Sequence, residues 1–327
     1  MKAIVTGGTG FLGSHLVEML VDEGWSVIVL ARNISNDSSA HLKNVDFKSA
    51  DISNLDDLEG VFEEVDVVFH CAALSSAWGE YDNFYLTNVQ GTRNVLTCCE
   101  KFSVKKLIYV SSTSIYFKYK DEINISETQT LNYPFANAYA ETKYLGEQVV
   151  LNEKKHIDVI IVRPRGIVGD GDVAIMPRIL RVAKKGFFPL LRRGNSMVDI
   201  TYVKNVAHAL MLCAKIHGLD GEVFNISNDQ PMKVKHLLDF VLKEKAVRLI
   251  KTPYFIIICL AWISECFAKL THGEEPKLTM YGVGLLAYTQ TLNIDKAKKV
   301  LGYESKYSIE YAVAQYIKWE KNHARNS

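Results

Sequence analysis

Short apolar runs recur along the first half of the chain, separated by longer stretches in which apolar residues return every three or four positions. The short runs are Lys2–Thr6, Ser26–Leu30, Val45–Lys48, Val67–Cys71, Leu107–Ser111 and Val159–Arg163. Most are rich in Val and Ile, and they predict strands buried on both faces. The stretches between them, among them Gly13–Asp22, Thr92–Lys101 and Asn137–Asn152, carry the helical period. Such alternation predicts an α/β fold, a doubly wound parallel sheet of Rossmann type. Beyond Gly169 the pattern loosens and becomes helical, rich in Lys and aromatics, which predicts a smaller, mostly helical C-terminal domain. Glu222–Ile226 reads as one more strand. The expected division is a first domain of residues 1–170 with a return segment at about 198–228. A second domain takes about 171–197 and 229–327.

Composition narrows the field. A chain of 327 residues, 48% of them hydrophobic, can bury a substantial core. The 38 Lys and Arg against 37 Asp and Glu provide no broad basic field for nucleic acid or an acidic lipid surface. Six cysteines, two of them adjacent at Cys98 and Cys99 and none in a C-x-x-C pair, read as reduced, mostly buried thiols with no metal site. Met1-Lys2 leads straight into Ala3-Ile4-Val5-Thr6 without a secretory leader pattern, so a cytoplasmic location is expected. The apolar run Tyr254–Ser264 ends at Glu265, short of the ~20 residues a membrane span needs. A buried helix covering a substrate cleft is the expectation, with peripheral membrane contact or docking onto a pathway partner as the alternative.

Thr6-Gly7-Gly8-Thr9-Gly10-Phe11-Leu12-Gly13 follows the first strand and opens the first helix. Gly7 and Gly10 permit a tight turn and close approach of backbone to a pyrophosphate, and Gly13 allows helix and strand to pack closely. Free N–H groups and the helix dipole attract phosphates, so Gly7, Thr9, Gly10, Phe11, Leu12 and Gly13 are candidate dinucleotide contacts. At the end of the second strand an NAD site usually places a carboxylate on the adenosine ribose. Here Ala31 takes that place and Arg32 follows. A cation there can pair with a 2′-phosphate, which favours NADP(H) and leaves NAD(H) as the alternative. A solvated surface arginine is the plain competing explanation for Arg32.

Tyr139 and Lys143 lie early in a helical stretch, one turn apart on one face. An isolated phenol, with a pKa near ~10, is a poor acid or base at neutral pH. A nearby ammonium and an oxidised nicotinamide would lower it, letting Tyr139 exchange a proton with a substrate oxygen as hydride moves at carbon. Leu107–Ser111 runs on into Ser112, placing hydroxyls at a strand end, where open α/β sheets bind ligands.

With these motifs in this order, the chain resembles the extended short-chain dehydrogenase/reductase family over nearly its whole length. The resemblance makes Ser112, four positions before Tyr116, the residue that orients a substrate carbonyl, and Tyr139 the proton donor. It makes Asn88 of Asn88-Val89-Gln90-Gly91-Thr92 a structural and proton-relay asparagine. Asp51 and Ile52 correspond to an adenine-contacting pair, and Ala72 and Ala73 to small residues beside the cofactor ribose. Arg163-Pro164, running through Ile167 to Gly169, corresponds to a turn near the nicotinamide carboxamide. Segments Val198–Val206, Phe224–Asn228, Glu275–Thr279 and Asp295–Lys298 are similar to the 3β-hydroxysteroid dehydrogenase-like branch.

Ala77-Trp78-Gly79-Glu80-Tyr81 resembles the bacterial 2-alkyl-3-oxoalkanoate reductases of olefin biosynthesis. That likeness implies NADPH-dependent ketone reduction on a small apolar substrate, with Trp78 and Tyr81 walling the pocket. Ordinary packing is the competing reading of those aromatics. Arg192 and Arg193, where the branch usually carries a G-D-G-x-N segment, are candidates for binding a substrate carboxylate or carrier phosphate, or form a solvated pair. A 3β-hydroxysteroid dehydrogenase is the alternative activity. A dehydratase is disfavoured because Thr113 and Ser114 follow Ser112 where an Asp-Glu pair would assist elimination. An epimerase needs a retained NAD, against which Ala31-Arg32 argues, and a non-catalytic NADP sensor would not need Ser112, Tyr139 and Lys143 together. By resemblance the chain forms a homodimer.

Overall fold

Seven parallel strands form the central sheet: β1 (Lys2–Thr6), β2 (Ser26–Ala31), β3 (Val45–Ser49), β4 (Val67–His70), β5 (Lys106–Val110), β6 (Asp158–Pro164) and β7 (Val223–Ile226). Each falls within a residue or so of the run that predicts it. The computed structural model describes residues 1–34, 43–131, 133–243, 245–271 and 275–323. The strand order is β7-β6-β5-β4-β1-β2-β3, so the chain direction across the sheet reverses between β1 and β4. Ligands of open α/β sheets bind at that reversal, beyond the carboxyl ends of the strands.

Alternate residues of the strands feed opposite faces. Val5, Val29, Phe69, Ile108 and Val162 pack with Leu16 and Leu20 of helix α1 (Phe11–Asp22). Val206 and Leu210 close the same face from a later helix, Val203–Lys215. Ile4, Ile28, Val68, Leu107 and Ile161 pack instead with Val95 and Leu96 of α2 (Gly91–Lys101) and with Val149 and Val150 of α3 (Ala138–Asn152). Each fully buried side chain of this size contributes about 1.5–3 kcal/mol, which is why strands with two apolar faces are committed to the interior.

The second half is helical, and small sheets join its segments to one another and to the first half. Glu122–Ile125, Met197–Val198, Met232–Lys233 and Gln290–Leu292 form a four-stranded one. Ile167–Val168 pairs with Thr201–Tyr202, and Phe187–Leu191 with Arg248–Thr252. Strands of two to five residues show too few alternations to register in the sequence.

The expectation for the apolar run near residue 254 needs correction. Helix α4 (Tyr254–Leu270) buries only Ala261 and Ala268 among its side chains. Phe255, Phe267 and Leu270 are 66%, 67% and 81% exposed, and Leu260, Trp262 and Ile263 also face outward. Apolar residues occupy its whole circumference, whereas among the described residues its apolar packing is chiefly against the helix Met280–Ala287. Among the described residues no helix is long and apolar enough to cross a membrane.

Candidate active site

The turn after β1 is built for a phosphate. Gly7 has φ +68, and a Cβ on it would lie 2.9 Å from the Ala72 Cα, so only glycine fits. Gly13 is equally constrained, because a Cβ there would meet the Gly8 Cα at 2.8 Å. Gly10 caps α1 in extended conformation without any side-chain acceptor, leaving the first-turn N–H groups available to an anion. This cradle, beside the β1–β4 reversal, fits a dinucleotide. Thr9 is exposed at its rim, while Phe11 and Leu12 are half-buried.

A hydrogen-bond chain ties the cradle to the rest of the site. Ala72 N donates to Thr6 Oγ1 (3.2 Å), Thr6 Oγ1 meets His70 Nδ1 (2.7 Å), and His70 Nε2 meets Thr92 Oγ1 (3.0 Å). Thr92 Oγ1 donates to Asn88 O (2.7 Å), so it must accept from His70, which places the imidazole proton on Nε2. Burial, aided by the Lys143 charge, pushes His70 down to about 3 and keeps it neutral.

Asp51 accepts from Ser53 N (2.9 Å) and Ser53 Oγ (2.7 Å). Those bonds, with help from the Arg32 charge, hold its carboxyl below the usual range. Ile52 is buried against Gly91, and Ala73 is half-buried after β4. Arg32 stands exposed just past β2, its carbonyl accepting from Ser49 Oγ (3.0 Å), and makes no ion pair among the described residues. Pro164 accepts from Thr113 Oγ1 (3.3 Å), and Ile167 pairs with Thr201.

Ser112 and Tyr139 come together at the end of β5, and Lys143 lies over the ring of Tyr109 in that strand. Ser112 starts a short turn and accepts from Ser114 N (3.1 Å). Asn137 caps α3 by accepting from Ala140 N (2.9 Å), which puts Tyr139 in the first turn and Lys143 one turn later. The Ser112 and Ser75 hydroxyls face the Tyr139 phenol and favour its ionised form, but burial outweighs them and raises its pKa. The lowering expected from Lys143 is therefore not a property of the chain alone.

Lys143 is 1% exposed and lies 4.1 Å from the centre of the Tyr109 ring. Burial pushes its ammonium down to about 7, against the opposing charges of Glu147 and Cys71. Lys106, the other buried lysine, is satisfied by the carbonyls of Cys213, Ala214 and Ile216 at 3.0, 2.9 and 2.6 Å. Among the described residues Lys143 has no comparable set, which marks it as a group suited to another partner.

Asn88 sits in a π turn, Leu86–Gln90, between Tyr81–Tyr85 and α2. Its side chain accepts from Leu74 N (2.8 Å) and donates to Leu74 O (3.2 Å) and Thr142 Oγ1 (3.1 Å). Asn88 therefore holds the loop carrying Ser75 against α3. Arg163 belongs to the core: Nε and Nη2 donate to Glu147 at 2.8 and 2.6 Å, and Nη1 to Tyr116 Oη at 2.5 Å. Burial opposes its charge, but the carboxylate raises its pKa above the ordinary value.

The substrate expectations divide. Trp78 lies with its ring 5.9 Å from Lys269 of α4, so its loop bridges the two halves. Tyr81 instead stacks on Tyr85 at 6.2 Å and interacts with Glu141, directed along the helical surface. Arg192 is not free to clamp an anion, because it grips Asp121 through Nη1 and Nη2 at 2.6 and 2.7 Å. Arg193, with φ 60, lies exposed beside it.

Sequence reasoning missed Ser75, Glu147, Arg165 and Tyr281. Glu147 follows Lys143 by four positions, a signal that was legible. Ser75 and Tyr281 reach Tyr139 from other segments and carried none. Tyr281 meets Phe117 edge-on at 5.1 Å, and Phe117, Tyr119 and Tyr288 continue an aromatic file to Tyr254 at the head of α4.

Rossmann sheet, glycine cradle, the Ser112–Tyr139 pair and the buried Lys143 define a nicotinamide-dependent oxidoreductase of the extended short-chain dehydrogenase/reductase kind. The chain belongs to the 3-beta hydroxysteroid dehydrogenase/isomerase family, which residues 4–255 match. It is 33% identical to the decarboxylating sterol-4-alpha-carboxylate 3-dehydrogenase of Saccharomyces cerevisiae, with 97% of each chain covered. It is 28% identical to the 2-alkyl-3-oxoalkanoate reductase of Shewanella oneidensis, covering 94% of this chain and 83% of that one. The UDP-glucuronic acid 4-epimerase of Bacillus cereus, solved in complex with NAD, shares the fold. Its TM-score is 0.78 at 20% identity, over 98% of this chain and 99% of the other.

Proposed function

We propose that this protein interconverts a 3-oxo and a 3-hydroxy carboxylate on an apolar body, with NADP(H) as the cofactor. Reduction of a 2-alkyl-3-oxoalkanoate is the preferred reaction. The observation that carries the reading is the aromatic file of Tyr281, Phe117, Tyr119 and Tyr288, which starts from a residue that interacts with Tyr139 and offers an apolar wall for such a substrate. The names of the yeast and Shewanella relatives agree in chemistry, since each describes an acid whose carboxylate is borne by the carbon next to the reacting one. The yeast relative supports a second reading, oxidation of a sterol carboxylate. Arg32, exposed and without an ion pair among the described residues, supports NADP(H) over NAD(H).

When bound, the nicotinamide supplies or accepts the hydride. Ser112 donates a hydrogen bond to the substrate oxygen. Tyr139, kept protonated by burial, gives its proton to that oxygen in reduction and takes it back in oxidation. Lys143 holds ribose hydroxyls and, once charged, favours the phenolate that remains.

A paired assay of the purified protein tests this. NADPH and NADH are offered with 2-alkyl-3-oxoalkanoates, and NADP⁺ and NAD⁺ with 2-alkyl-3-hydroxyalkanoates and sterol carboxylates. Turnover of the alkanoates with NADP(H) is the expected result. Turnover of sterol carboxylates alone favours the second reading, and a preference for NAD(H) removes the role given to Arg32.

A further inference from the structure

Arg165 follows β6 directly, at the carboxyl edge of the sheet where the substrate must lie. Its backbone is fixed on both sides, N donating to Ile226 O (3.0 Å) and O accepting from Thr201 Oγ1 (2.5 Å). The residue is 7% exposed, and its Nε has no hydrogen-bond partner among the described residues. Arg163, two positions earlier, is a buried guanidinium with a full bidentate partner in Glu147. Asp199 is the carboxylate that interacts with Arg165; its Oδ2 accepts from Leu292 N (2.8 Å), and its Oδ1 has no hydrogen-bond partner among the described residues. Burying an arginine so incompletely paired is costly, and a desolvated guanidinium with an unused donor is made for an anion. Tyr281 interacts electrostatically with both Arg165 and Tyr139.

We propose that Arg165 receives the carboxylate of the substrate and thereby positions the neighbouring 3-oxo or 3-hydroxy carbon at Ser112 and Tyr139. This rests on the proposed 3-oxo/3-hydroxy acid class and deepens it. Arg165 takes the role that the sequence suggested for Arg192 and Arg193. The planar fork of arginine matches a carboxylate, and Phe117 and Tyr281 remain for the apolar body.

The test measures equilibrium binding and turnover on the full chain with NADP⁺ for three probes. They are a 2-alkyl-3-hydroxyalkanoate, its methyl ester, and decanoate as a plain apolar carboxylate. Arg165→Met should weaken binding of both acids roughly 100-fold, the scale for removing one partner of a buried charge pair, while ester binding stays within about threefold. Arg165→Lys, which keeps the charge without the fork, should fall between, and thermal melts confirm that both variants fold. If wild type binds decanoate through Arg165 but neither binds nor turns over the hydroxy acid, the substrate class fails and the anion site stands. Equal affinity of wild type for acid and ester, or equal loss of both in Arg165→Met, overturns the assignment.

Discussion

Lys143→Met should make the protein inactive and, without cofactor, more stable. The side chain is 1% exposed, and burial pushes its ammonium from the ordinary 10.5 down to about 7. At about 1.4 kcal/mol for each tenfold change in proton affinity, the gap amounts to about 5 kcal/mol of unfavourable charge burial. Because the folded-state pKa lies below the unfolded one, the unfolded chain holds more protons between about pH 7 and 10.5, and stability rises with pH across that window. The penalty is present in full below pH 7 and is gone above about 10.5.

Methionine is of similar length, carries no charge and packs against Tyr109. Partial relaxation and imperfect packing reduce the benefit, so the variant should be about 2–4 kcal/mol more stable at pH 7. The advantage should shrink by roughly half at pH 9. Urea unfolding of both proteins at pH 7 and pH 9, with cofactor stripped, measures this directly. A variant less stable than the parent at both pH values, or an advantage independent of pH, would show that Lys143 is not an electrostatic liability held for function.

Tyr139→Phe should lower kcat roughly 10²–10⁴-fold while leaving NADPH affinity, read by fluorescence titration, nearly intact. Unchanged turnover would remove Tyr139 as proton donor. Arg32→Asp should shift the ratio of kcat/KM values from NADPH toward NADH, because a carboxylate repels the 2′-phosphate. Glu147→Gln leaves the buried Arg163 uncompensated and should cost about 3–5 kcal/mol in denaturant unfolding. Glu147→Leu combined with Arg163→Met should recover most of that loss, and a double variant no better than the single would refute the pairing argument. Gly7→Ala forces a side chain into a φ of +68 and toward Ala72, so the dissociation constant for NADPH should rise at least about tenfold.

The seven central strands, the glycine turn and helices α1–α3 were legible in the sequence because each is written in local periodicity and in residues with one conformational use. Ser112, Tyr139 and Lys143 were legible too, since one helical turn and one strand end suffice to place them. The local pattern could not say what surrounds Tyr139. A lowered pKa is expected when an ammonium and an oxidised nicotinamide lie beside it; in the chain alone burial raises it, and Lys143 turns to the Tyr109 ring. Nor could it separate three similar arginines. Arg163 is tied to Glu147, Arg192 to Asp121, and Arg165 is left buried with an unused donor. Likewise the run at Tyr254 reads as interior by composition, yet only the presence or absence of a neighbour decides burial, and among the described residues α4 packs chiefly against one helix. Periodicity and motif spacing determine the elements and their succession along the chain. Desolvation, charge pairing and exposure depend on segments brought together from distant positions, and only the tertiary structure settles them.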